Sequence, residues 1–171
     1  MEHREYTTID KAKWLRGPWD AEPDKVQFED PATGMPCLLV RHSGAGHWCG
    51  YVGVAEGHPM FDENYGDYDF GDVHGGITFA SFCQESDDES KGVCHIPGPG
   101  ESDHVYWFGF DAAHSGDLCP ITTSLVGERL SIKEEYRDRE YMQGECARLA
   151  LELTAMAKSG RKPPKWSWCD D

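Results

Sequence analysis

Residues 104–117 read "HVYWFGFDAAHSGD", one of the most apolar runs of the chain, released at once into Asp111, His114 and Asp117. In "VYWFGFD" both alternating faces are apolar, the pattern of a central strand covered on each side. The run therefore predicts the middle of a sheet. The polar residues that follow predict the mouth of that strand, where a rigid element holds side chains within reach of a ligand.

Working outward, "CLLVRH" from Cys37 and "HWCGYVGVA" at 47–55 are two β-compatible runs separated by the turn-forming "SGAG", and together they predict a hairpin. "GGITFASF" resumes a strand at about Ile77, "ESDDESKG" is a polar loop, and "VCHI" reads as a short strand before the turn "PGPG". The first 36 residues hold "WLRGPWDAEPDK" and "EDPATGMP", whose prolines and glycines exclude a long helix; they predict an irregular arm packed on the core. From 133 to 159 the character changes. Met142, Cys146, Leu149, Leu153 and Met156 are spaced 4, 3, 4 and 3, one face of an amphipathic helix, which Gly160 and the prolines at 163 and 164 end. The fold class is α+β, a single domain over 1–171. An arm (1–36) precedes an antiparallel-rich sheet with the loops that carry the candidate site (37–132). One long helix (133–159) packs on the sheet, and a tail (160–171) follows.

At 171 residues the chain buries a sizeable core without disulfides, and it has no run of about 18 apolar residues that could span a bilayer. "MEHREYTTIDKAKW" lacks the apolar core of a signal peptide, so a cytoplasmic protein is expected, with no membrane partner. The seven cysteines, at 37, 49, 83, 94, 119, 146 and 169, are odd in number and form no C-x-x-C pair; reduced, mostly buried thiols are expected and a zinc knuckle is not. Of the net charge of −15, the stretch from Glu56 to Asp117 carries fourteen acidic residues against one base, Lys91. Such a field repels phosphate backbones and disfavours nonspecific nucleic-acid binding, while it suits divalent cations or a basic protein partner. Solvated acidic loops are the plainer account of much of it.

Five of the eight histidines, at 58, 74, 95, 104 and 114, lie in that acidic third. In "DVHGGITF", Gly75 and Gly76 permit a ligand to approach the backbone, and Thr78 offers a hydroxyl beside His74. In "FGFDAAHSGD", one helical turn would put Asp111 and His114 on the same face, able to share a metal or pair as carboxylate and imidazole, with Asp117 close behind. Asp111 also reads as a cap and His74 as an ordinary turn histidine. The motifs H-E-x-x-H, G-x-S-x-G, the Walker loop and the Rossmann glycines are all absent from the chain.

The segments "GPWDAEPDKVQF", "CLLVRH", "GYVGVAEGHPMF", "DVHGGITF" and "WFGFDAAHSGD", with a helix beginning "YRDREYMQGECARLA", resemble a family of uncharacterised proteins found in phage and bacterial genomes. The positions that carry the resemblance are Tyr51, Gly57, His58, Pro59, His74, Gly75, Gly76, Thr78, Asp111, His114 and Asp117. It implies a phage setting, hence the host cytoplasm, in which small soluble proteins counter defence signalling; it implies no mechanism.

Three functions follow as expectations. The first is a pocket for a small polar or nucleotide-like ligand, placed where strands ending near Val54 and Asp111 meet the His-Gly-Gly turn. There Tyr51, Trp107 and Phe110 would stack on the ligand, His58, His74, His114, Asp111 and the amides near Gly75, Gly76 and Thr78 would bond it, and Arg41 would serve a phosphate. The second is a metal-dependent hydrolase with a divalent metal on His74, Asp111 and His114 and with Asp117 or Glu56 as base, the catalytic candidates being His74, Asp111, His114 and Asp117. The third is an acidic inhibitor that mimics a polyanion on a basic host protein. Exposed aromatics in the arm would also allow a homo-oligomer.

Overall fold

The computed structural model describes residues 1–83, 88–122 and 134–166. Among them six strands, β1 (Arg4–Tyr6), β2 (Lys25–Glu29), β3 (Pro36–Arg41), β4 (Trp48–Ala55), β5 (Phe79–Phe82) and β6 (Val105–Asp111), form one sheet. Its order is β1-β2-β3-β4-β6-β5 and every neighbouring pair is antiparallel. Among the described residues one long helix, α1 (Arg139–Ser159), packs across β3 and β4. The α+β reading therefore holds, and no helix among the described residues is long and apolar enough to cross a membrane.

β6 is interior, between β4 and β5, and its alternation serves two cores. Tyr106, Phe108 and Phe110 join Val26, Leu39, Trp48, Val52 and the helix residues Met142, Cys146, Leu149, Leu153 and Met156 on one face. Val105 and Trp107 join Leu38 and Tyr51 on the other. Three register pairs of β4 and β6 set a glycine opposite an aromatic, Gly50 with Phe110, Gly109 with Tyr51 and Gly53 with Trp107, and a Cβ at Gly50 or Gly109 would overlap the facing ring. These glycines let large rings lie flat across the neighbouring strand.

The N-terminal arm is irregular between its strands, as its Pro and Gly imply, but β1 and β2 add two strands that the expectation did not include. In "KVQFE" Val26 and Phe28 alternate into the first core, a short strand signal set among the prolines and glycines of the arm, while Lys25 and Gln27, both 1% exposed, face the second side. Their partners come from far along the chain. Lys25 Nζ donates to the carbonyls of Glu89 (2.7 Å), Lys91 (2.8 Å) and Cys94 (2.6 Å). Gln27 donates to the Ile96 carbonyl (2.9 Å) and accepts from its N–H (2.8 Å). These bonds explain why "VCHI" is not a strand: its backbone groups are taken by β2 side chains rather than by a ladder. The arm's aromatics are not exposed either. Trp19 is buried edge-on against Tyr136 and Trp14 lies near Gly46, which removes the basis for the oligomer expectation.

The expectation of reduced thiols fails at one pair. Cys83, just past β5, and Cys94, in the segment that crosses the second face, form a disulfide, while Cys37, Cys49, Cys119 and Cys146 are free. An eleven-residue separation carries no signal of pairing; the sheet brings the two together. Replacing both by serine is expected to lower unfolding stability by about 3 kcal/mol, the loop-closure contribution of a short cross-link, read from the urea midpoint. Cys169 and residues 84–87 of the polar loop lie outside the described residues.

α1 starts six residues later than 133, itself outside the described residues, because 134–138 has another task. Glu135 N–H donates to the Gly116 carbonyl (2.8 Å) and Leu118 N–H to the Glu135 carbonyl (2.9 Å), which docks this segment on the turn after β6. The helix begins where Asp138 caps it, its carboxylate accepting from Tyr141 N–H at 2.9 Å, and ends at Gly160 with φ 63°.

Candidate functional site

The site forms where three segments meet at the end of β6. Beyond Asp111 the chain makes a turn in which Asp117 N–H donates to the His114 carbonyl (2.9 Å) and Asp117 Oδ2 accepts from His114 N–H (3.0 Å). The "HGGIT" segment crosses this end: Thr78 N–H bonds the Gly109 carbonyl (2.8 Å) and its hydroxyl donates to Asp111 Oδ2 (3.0 Å). The first turns of α1 hold the other side, where Glu145 accepts from His74 N–H at 2.6 Å.

Asp117 is the centre of this arrangement. Its side chain is 2% exposed, Oδ1 accepts from Arg137 Nε (3.0 Å), and Oδ2 accepts from His74 Nε2 (2.6 Å). Burial alone would raise its pKa; the hydrogen bonds from His74, the His114 N–H and Arg137 outweigh it and hold the carboxyl below its ordinary value. An ionised Asp117 puts the His74 proton on Nε2. Nδ1 then accepts from the Tyr141 hydroxyl at 2.9 Å. Arg137 also lies over the Tyr141 ring at 4.8 Å, so one guanidinium organises both the carboxylate and the phenol.

His114 is different. Its Nδ1 is buried and has no hydrogen-bond partner, and it lies 3.7 Å from Asp117 Oδ2 and 3.9 Å from Asp111 Oδ1. One ligand atom each from His74, His114 and Asp117 fall within 4.8 Å of one another, the only His/Cys/Asp/Glu group so gathered among the described residues. Gly75 makes this approach possible: it has φ +71°, and a Cβ there would run into the His114 ring. Gly75→Ala is therefore expected to displace His114 and to destabilise the protein by about 1–3 kcal/mol. Gly76→Ala, with φ +80° but open space around it, is the control that isolates backbone strain. Unfolding curves of the two should differ, and equal losses would remove the packing argument.

The remaining expected residues are placed elsewhere. Antiparallel pairing sets Cys49 opposite Asp111 and Val54 opposite Tyr106, so the strand ends at Val54 and Asp111 lie at opposite ends of the sheet and cannot share a pocket. His58 and Glu56 belong to the Val54 end. His58 Nε2 bonds the Leu153 carbonyl (2.9 Å) while its Nδ1 accepts from Met60 N–H (3.1 Å), a tie between loop and helix. Tyr51 and Trp107 are buried in the second core and Phe110 in the first, so none offers a stacking face at the site. Arg41 is fully buried against Glu22 and Asp24, out of reach of a phosphate. Asp111 bonds Thr78 and Ala113 N–H rather than His114, and Asp117 takes the role expected of it. Tyr141, Arg137 and Glu145 were not anticipated; Tyr141 and Glu145 stand four apart beside the apolar stripe, the one signal that they share a face.

Comparison of the chain with protein-family models, with curated proteins and with solved structures finds no match.

Proposed function

We propose that His74, His114 and Asp117 hold a divalent transition-metal cation and that the protein is a metal-dependent hydrolase acting on a small polar, nucleotide-like substrate. The observation that carries this reading is the convergence of two imidazoles and a carboxylate around a buried ring nitrogen, His114 Nδ1, that has no other partner. Two nitrogens and one oxygen are a ligand set suited to zinc or manganese, and three protein ligands leave a position for water. Asp111, tied to Thr78 and 3.9 Å from His114 Nδ1, is the carboxylate placed to take a proton from that water. On metal binding His74 would ligate through Nε2 and donate from Nδ1 to the Tyr141 oxygen, the outer bond that fixes a ligand imidazole. In the phage setting implied by the resemblance, a host defence nucleotide is the substrate class to try.

The test is metal analysis of freshly purified protein, calorimetry with zinc and manganese, and hydrolysis of a chromogenic phosphodiester before and after chelation. One bound metal per chain and chelator-sensitive turnover are expected; metal binding weaker than about 1 mM would end this reading.

A second reading, a metal-free binding protein for a small polar ligand, is favoured by one observation: both ring nitrogens of His74 already have partners, Asp117 and Tyr141. It requires a small molecule released on denaturation and no stoichiometric metal.

A further inference from the structure

At the opposite end of β6 the segment that crosses the second face leaves a cleft of about 580 Å³ against Phe82 and Val105. This is within the range of roughly 300–1,000 Å³ in which small-molecule sites are found. His95 lines it and is 7% exposed, its Nδ1 buried and without a hydrogen-bond partner. The ring stands edge-on to Trp107 at 5.4 Å, and the Trp107 Nε1–H is likewise buried and unpaired. Burial lowers the His95 pKa; Glu101 and Asp103 oppose this, and Lys25 and the N-terminal ammonium reinforce it. His95 is therefore a neutral ring with an acceptor nitrogen.

Among the described lining residues Glu89 and Asp103 are acidic and none is Lys or Arg; the Lys25 ammonium lies behind the wall, taken up by the carbonyls of Glu89, Lys91 and Cys94, and His104 stacked on Phe82 at 4.9 Å supplies a flat face. Acceptors, negative charge and an aromatic face ask for a ligand that donates N–H bonds and is positively charged. A bare metal ion does not fit this description, because these side chains are not gathered within 4.8 Å as the His74 group is.

We propose that this cleft binds a small organic ammonium ion, a primary amine or polyamine, with its charge between Glu89 and Asp103 and an N–H directed to His95. The site is independent of the metal reading, and His74→Ala should leave it unaltered.

Spermidine is the probe, titrated calorimetrically into the intact, disulfide-bonded protein at low salt, with the His95 and His104 ring signals followed by NMR. One saturable site is expected, with both rings shifting. Asp103→Asn, at an exposed position that does not endanger folding, should weaken binding about tenfold. Asp72→Asn removes a carboxylate that is 99% exposed and remote from the cleft, and should change nothing beyond the small effect of net charge. Equal losses in the two variants would mean diffuse counterion attraction and would overturn the proposal. So would stoichiometric displacement of spermidine by magnesium, or unmoved His95 signals at saturation.

Discussion

Asp117→Asn is expected to weaken zinc or manganese binding by at least about 100-fold, more than the 10- to 100-fold cost of removing an outer-shell partner, because it removes a charged ligand as well as an orienting one. The carboxylate does three things that an amide cannot do together: it neutralises Arg137, accepts the His74 Nε2 proton, and offers Oδ2 to a cation. An amide must turn its nitrogen either toward Arg137 or toward His74 and the His114 N–H, and a buried donor without a partner costs about 1–3 kcal/mol. A pH signature separates this from generic damage. Because the folded Asp117 pKa lies below its ordinary value, its contribution is present above the unfolded value of roughly 3.9 and is lost as pH falls through the folded one. The stability gap between wild type and variant should therefore be full at neutral pH and should close below about pH 4. A gap that persists in acid would mean that the loss is one of packing.

Arg41→Ala is the substitution expected to cost most in stability, about 3–5 kcal/mol, because it strands buried carboxylates. The guanidinium is 0% exposed and donates to Glu22 Oε2 (2.8 Å), to the Gly46 carbonyl (2.8 Å), to the Tyr136 hydroxyl (3.0 Å) and to the Pro23 carbonyl (3.3 Å); it also pairs with Asp24 and stacks on Trp48 at 4.1 Å. Glu22 in turn accepts from Trp48 Nε1 (3.2 Å) and from Arg139 N–H (3.1 Å) at the start of α1. Burial pushes Glu22 up, but Tyr136, Arg41 and Arg139 hold its pKa below the usual value, so without Arg41 a charged group in the interior loses a main counterweight. Arg41→Lys should recover only part of the loss, since one ammonium cannot span these acceptors in the plane of a fork. Urea unfolding with an unchanged slope is the measurement; a loss below about 1 kcal/mol would show that Lys11, which also pairs with Asp24, suffices.

What could be read from the chain followed from how directly pattern reports burial. The β3–β4 hairpin, β6 and the helix stripe show their apolar faces, and all three lie where the run lengths and turn residues put them. β2 alternates too, with Val26 and Phe28 turned to the first core, and what stays hidden is its other face: Lys25 and Gln27 are satisfied by carbonyls more than sixty residues away, a pairing that no local window contains. The disulfide was hidden for the same reason. At the site, His74, His114 and Asp117 were legible as polar residues released from strands, and their convergence was not. It depends on Gly75 yielding space to the His114 ring and on 134–138 docking against 116–118. The misplaced pocket came from joining two strand ends that antiparallel pairing separates.

The pairing of β4 with β6 has a kinetic consequence. These neighbours bring Ala55 beside Val105, so the whole segment 56–104 must be looped out before their ladder returns any free energy. Closure of this kind makes the central sheet slow to nucleate, in the millisecond-to-second regime of β-rich topologies rather than the microseconds of helical ones. The His74 turn, suspended within that loop, takes its geometry only after β6 has docked and the Cys83–Cys94 strap can be drawn across. A refolding chain should therefore bury tryptophan before it acquires affinity for metal, the site being among the last features to mature.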